Sequence, residues 1–134
     1  MSKRLLTLTI MFFLSVCGCA GGQYAGCNQT KEPMLAHNVY FRLKDDSQAA
    51  KNRLVDSCHQ YLKDHPGVVF FAAGTLAEEL DRPVNVRDFH VGLHIVFRTR
   101  QFHDQYQTAD THLQFIEENK GNWEHVRVFD TLVR

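Results

Sequence analysis

Charge of either sign is not in excess: 15 Lys and Arg balance 15 Asp and Glu in 134 residues, with the signs interspersed. Without a one-signed surface field, nucleic acid and bare anionic membrane drop out as expected partners. No glycine-rich phosphate loop, no Gly-x-Ser-x-Gly turn and no cysteine with a convincing histidine partner is present. Phosphate-loop, serine-hydrolase and cysteine-nucleophile chemistry go with them. The longest apolar run, Leu5 to Val16, has twelve residues, short of the roughly 20 that span a bilayer. Cysteine is sparse, and three of the four, at positions 17, 19 and 27, crowd the N-terminus away from Cys58. That spacing is neither a disulfide framework nor a zinc pattern. What is there describes one folded domain, with 44% hydrophobic and 22% charged residues. Eight His and ten Phe are many for this length.

Residues 1–19 read as an address. Lys3 and Arg4 precede the apolar run, which ends in Cys17-Gly18-Cys19-Ala20-Gly21-Gly22, the order of an export signal. Val16-Cys17-Gly18-Cys19 fits a bacterial lipobox with Cys19 as the lipidated residue; the same stretch also fits plain secretory cleavage after Ala20. The expected location is the cell envelope, lipid-anchored in the first case and periplasmic or secreted in the second. Loss of Lys3 and Arg4 takes the net charge from 0 to −2. Cys27 and Cys58 are then the remaining thiols, able to pair in an oxidising compartment, although Cys58 lies on an apolar helix face where a buried free thiol suffices. Residues 20–35 read as a flexible tether and 36–134 as the domain.

Within the domain, Ala36 to Leu43 alternates, with His37, Val39, Phe41 and Leu43 on one face and Asn38, Tyr40 and Arg42 on the other, the period of a half-buried strand. Asp45-Asp46-Ser47 supplies helix-capping side chains, Ala50, Leu54, Cys58 and Leu62 recur every four residues, and Pro66-Gly67 ends the helix. Val68 to Thr75 reads as a second strand, residues 76–86 as a loop, and Asp88 to Arg98 as a third strand. Two short helices follow, broken around Thr108 to Asp110, and Trp123 to Val133 closes the chain as a strand. The order β-α-β-β-α-β is an α+β, ferredoxin-like arrangement with helices covering one face of an antiparallel sheet. Its other face would carry Tyr40, Val96, Val128 or Phe129, and His90 and His94, a mixed surface suited to pairing with a second copy in a homodimer.

These segments resemble the stress-responsive A/B barrel (Dabb) domain family. The residues that carry the resemblance are His37-Asn38-Val39-Tyr40-Phe41-Arg42-Leu43-Lys44, Pro66-Gly67-Val68, Asp88 through Phe97, Tyr106 through His112, and Val126-Arg127-Val128-Phe129-Asp130. The resemblance implies a dimeric α+β barrel in which two sheets pack face to face. A plant member is a polyketide cyclase whose Tyr, and a His six residues later, act at a pocket between sheet and helices beside a first-strand His. Carried over, these roles fall on Tyr106, His112 and His37, with Val39 and Phe41 on the His37 face as ligand-lining residues. Where many relatives have His-Pro between the pair, this chain has Ala109-Asp110, which alters the loop aiming His112.

In such a site His112 takes a proton from a carbon acid, Tyr106 donates to the developing enolate oxygen, and His37 binds a polar head group. The bland alternative is that all three are satisfied interior groups. No cofactor and no metal are expected: His90 and His94 stand about 13 Å apart on one strand, too far to share an ion. His59, His65 and His103 read as solvated helix residues, with His65 favouring the helix C-terminus. Arg127, placed with Trp123 and His125, reads as structural or as an anchor for an acidic ligand. Two functions are carried forward. One is an exported homodimer that binds a small apolar or aromatic molecule or has a stress-related structural role; the other is a cofactor-free enzyme resembling polyketide cyclases or antibiotic-biosynthesis monooxygenases.

Overall fold

A computed structural model describes residues 32–134; the export signal, Cys19, Cys27 and most of the tether lie outside the described residues. The elements run β1 (Met34–Leu43), α1 (Gln48–Leu62), β2 (Val68–Thr75), β3 (Val91–Phe97), α2 (Arg100–Gln107), α3 (Asp110–Asn119), a 3-10 turn (Lys120–Asn122) and β4 (Trp123–Val133). The strands form one antiparallel sheet in the order β2-β3-β1-β4. This is the ferredoxin-like α+β arrangement expected from the sequence. β1 begins two residues ahead of the expected domain boundary, because Met34 and Leu35 already pair with Val133 and Leu132.

Alternation decides which side of the sheet each residue faces. On the helix side lie Val39, Phe41 and Leu43 of β1 with Val91, Leu93, Ile95 and Phe97 of β3, all buried. The removal of each such side chain from water contributes on the order of 1.5–3 kcal/mol before entropy is counted. Against them α1 lays its four-residue stripe Ala50, Leu54, Cys58 and Leu62. Ser47 starts that helix: its side-chain oxygen accepts the Ala50 amide at 3.3 Å. Gly67 ends the connection at φ +79°, and a Cβ there would lie 2.1 Å from the Phe102 ring, so both backbone conformation and space require glycine.

Three local expectations change. Strand β3 starts at Val91, not Asp88, because His90 is bound sideways. Its amide donates to the Phe41 carbonyl (2.8 Å) and its Nδ1 accepts the Leu43 amide (3.0 Å), which takes it off the open sheet face. In β4 the register slips between Arg42 and Leu43, which pair with His125 and Trp123. The skipped Glu124 is a bulge, and it turns Trp123 away from the face of Arg127 onto Phe41 (ring centroids 5.2 Å) and Phe115 (5.9 Å). The same register settles that Phe129, opposite Asn38, is on the open face while Val128, opposite Val39, is not.

Candidate functional site

Tyr106, at the end of α2, is the one buried residue of that helix, and four imidazoles from four places in the chain converge on its ring. Ring-centroid distances are 4.3 Å to His112, 4.9 Å to His65, 5.8 Å to His37 and 6.5 Å to His103, with Phe97 beneath at 5.1 Å. The Thr108-Ala109 break makes this possible: the Ala109 amide still donates to the Tyr106 carbonyl (3.2 Å), and α3 then folds back so that His112 Nδ1 donates to the Gln107 carbonyl (3.2 Å). Ala109-Asp110 therefore still delivers His112 to the tyrosine.

Burial lowers the His112 pKa from its ordinary 6.5; the Gln107 bond opposes this, and the neighbouring imidazoles add to it. At neutral pH the ring is uncharged, with Nδ1–H engaged and Nε2 left to act as base. Burial raises the Tyr106 pKa well above the ordinary 10.0, so the phenol stays a proton donor. His37 donates from Nδ1 to the Asp130 carboxylate at 2.7 Å. Its pKa is lowered by burial first, with Asp130 pulling the other way.

The structure thus brings Tyr106, His112 and His37 together. It places Val39 and Phe41 among the packed core residues, Phe41 against Phe115 and Trp123. Two expectations are corrected. His65 and His103 are half-buried, not fully solvated: His65 Nε2 donates to the Tyr61 carbonyl (3.0 Å), at the helix C-terminus it was expected to favour, and the His103 ring lies tilted against His37 with centroids 5.1 Å apart. Sequence spacing places both on helix surfaces or ends; Tyr106 packs over His65 just past the end of α1, and the docking of α2 on the sheet sets His103 beside His37 and Phe97. Asp130 was also missed as a site residue, since its role depends on strand register.

His37, Tyr106 and His112 are 5%, 1% and 9% exposed, whereas His103 and Asp130 border a cavity of about 290 Å³ with Leu35, Arg100, Asp104 and Leu132. Donor atoms of His37, His103 and Asp130 lie within 4.8 Å of one another. His90 and His94 are not brought together; His94 Nδ1 donates to the Asn38 side-chain oxygen (2.8 Å).

The open sheet face forms a second candidate. Tyr40 stands at its centre, edge-on to Phe89 (4.8 Å), His94 (5.7 Å) and Phe129 (5.8 Å). A cavity of about 480 Å³ beside it is lined by Asn38, Tyr40, Val86, Phe89, Arg127 and Phe129. Arg127 pairs with Asp88. Phe70 and Phe129 are half exposed on this face.

Comparison with known proteins agrees with this architecture. The family profile described as Stress responsive A/B Barrel Domain matches residues 35–133. No curated protein matches the chain. Among solved structures, a Dabb family protein with a ferredoxin-like fold from Mesorhizobium loti is 21% identical, with a TM-score of 0.64 over 77% of this chain and 99% of that one. A hydroxynitrile lyase from Passiflora edulis is 18% identical, with a TM-score of 0.62 over 78% and 95%. A dimeric ferredoxin-like protein of unknown function from Thermobifida fusca is 10% identical, with a TM-score of 0.63 over 77% and 93%. At these identities the likeness is one of fold.

Proposed function

The chain belongs to the stress-responsive A/B barrel domain family, and on that premise we propose that it works as an exported homodimer holding a small apolar or aromatic molecule between its two sheets. The observation that carries the reading is the open face: aromatic side chains around Tyr40 flank a cavity of about 480 Å³. A face with half-exposed Phe70 and Phe129 is poorly suited to water, and a second sheet covering it would enclose the cavity. The dimeric fold neighbour supports the pairing. Inside the barrel, Tyr40, Phe89 and Phe129 meet the apolar body of the ligand, while Asn38 and Arg127 meet a polar or acidic end. Export rests on Lys3, Arg4 and the Leu5–Val16 run, and anchoring on lipidation of Cys19.

Native mass spectrometry of the full chain, released from membranes in detergent, tests the reading. A dimer carrying a small molecule that Tyr40→Ala loses is the expected result. A monomer at micromolar concentration, or a dimer empty in every preparation, overturns it.

A second reading is favoured by one observation, the His112 ring lying against the buried Tyr106 ring with centroids 4.3 Å apart, where burial lowers the His112 pKa and raises that of Tyr106. In that reading His112 removes a proton next to a carbonyl and Tyr106 stabilises the enolate, without a cofactor. Deuterium wash-in at the acidic carbon of a simple β-diketone, lost in His112→Ala, is its expected signature. Equal wash-in by both proteins removes it.

A further inference from the structure

We propose that His37, His103 and Asp130 form a site for one divalent first-row transition ion, of the zinc and cobalt kind, opening onto the cavity between α2 and the β1–β4 edge. The three side chains come from three elements, β1, α2 and β4, so the fold, not one flexible segment, sets their separation. Their donor atoms already lie within 4.8 Å of one another, and an ion bonded at about 2.0–2.2 Å to each needs only small side-chain rotations to gather them. At the 2.7 Å contact between His37 Nδ1 and Asp130 Oδ1, the ion would take the place of the shared proton.

His103 is already held in the manner of a ligating imidazole. Its Nδ1 meets the Asp104 carboxylate at 3.2 Å, while its Nε2 accepts from the Gln107 amide at 2.9 Å. A metal displaces the neutral amide more easily than the carboxylate, and leaves Asp104 as the outer partner that orients the ring. Two imidazoles and one carboxylate are borderline donors, too few in oxygen for calcium or magnesium and suited to zinc, cobalt or iron(II).

The environment leaves coordination positions free. The Asp130 side chain is 45% exposed, and the adjoining cavity of about 290 Å³ has room for water or a small ligand. Arg100 on the cavity wall suits an anionic oxygen donor completing the coordination shell. The inference needs neither the dimer nor the open-face cavity.

The test is cobalt(II) titration of the chain released from membranes in detergent, with Cys27 changed to Ser to remove a competing thiol, followed by visible absorption. One equivalent per chain is expected, unaffected by millimolar magnesium. Asp130→Asn and His103→Gln, each checked for native circular dichroism, should weaken binding by at least the roughly 10–100-fold that loss of a mere outer partner costs. His90→Ala should bind as the parent does. No binding by the parent, or equal binding by parent, Asp130→Asn and His103→Gln, overturns the proposal.

Discussion

His37 and Asp130, 93 positions apart in the chain, face one another directly across the β1–β4 pairing and share a 2.7 Å hydrogen bond. The imidazole is buried while the carboxylate reaches solvent, so Asp130 satisfies a donor that water reaches poorly. Asp130→Ala should cost about 1–2 kcal/mol of stability, at the lower end if water enters from the exposed side, and Asp130→Asn, which still accepts, clearly less. Urea unfolding midpoints of the two variants check this; equal losses would mean that the charge matters and the hydrogen bond does not.

Acid should unfold the domain earlier than its carboxylates alone require. His37, His65, His94 and His112 all have pKa values lowered by burial from 6.5, so each binds protons more readily in the unfolded chain. Their contribution is fully present above pH 6.5, is lost progressively as pH falls below it, and levels off once the folded values are passed. Thermal midpoints should therefore drop between pH 7.5 and 5.5, and His112→Gln should flatten that slope. A slope unchanged in the variant would assign the acid sensitivity to the other three rings.

At Gly67 backbone and packing impose the same demand. Gly67→Ala forces an L side chain to a φ of +79° and drives its Cβ into the Phe102 ring. A loss of about 1–3 kcal/mol is expected from the backbone alone. Phe102→Ala introduced beside it relieves only the clash and leaves the backbone cost, so the double variant should lose less than the sum of the singles. Strict additivity in a double-mutant cycle would show that the ring simply moves aside.

Much of this fold is legible in the sequence because its periods are clean. The alternation His37-Val39-Phe41-Leu43 and the four-residue stripe from Ala50 to Leu62 each specify one face, and only one packing buries both. The exceptions are local devices that break a period. The bulge at Glu124 flips Trp123, and the side-chain bond from His90 to the Leu43 amide replaces a strand pairing. The site was half legible. Tyr106 and His112 are six residues apart and linked by a resemblance, whereas His65, His103 and Asp130 reach it only through docking and register, for which no short-range pattern exists.

Cys58 should behave as a hydrophobe and not as a thiol. It is fully buried on α1, and burial pushes its pKa up to about 12, so the nucleophilic thiolate is scarcely formed near neutrality. Iodoacetamide at pH 8 should leave Cys58 unmodified in native protein and label it only in denaturant, as read by peptide mass mapping. Labelling of Cys58 under native conditions would reveal local opening of α1 from the sheet.

The dimer prediction is sharpest at Phe129. Its ring is half exposed on the open face, edge-on to Tyr40, where a partner sheet would bury it; the helix-side core does not touch it. Phe129→Asp therefore removes little from the isolated fold but places a charge within the proposed interface, where leaving it buried and unpaired costs several kcal/mol. Sedimentation velocity should show a dimer for the parent and a monomer with native circular dichroism for the variant. A variant that stays dimeric would move the interface elsewhere, and with it the enclosed cavity on which ligand binding between the sheets depends.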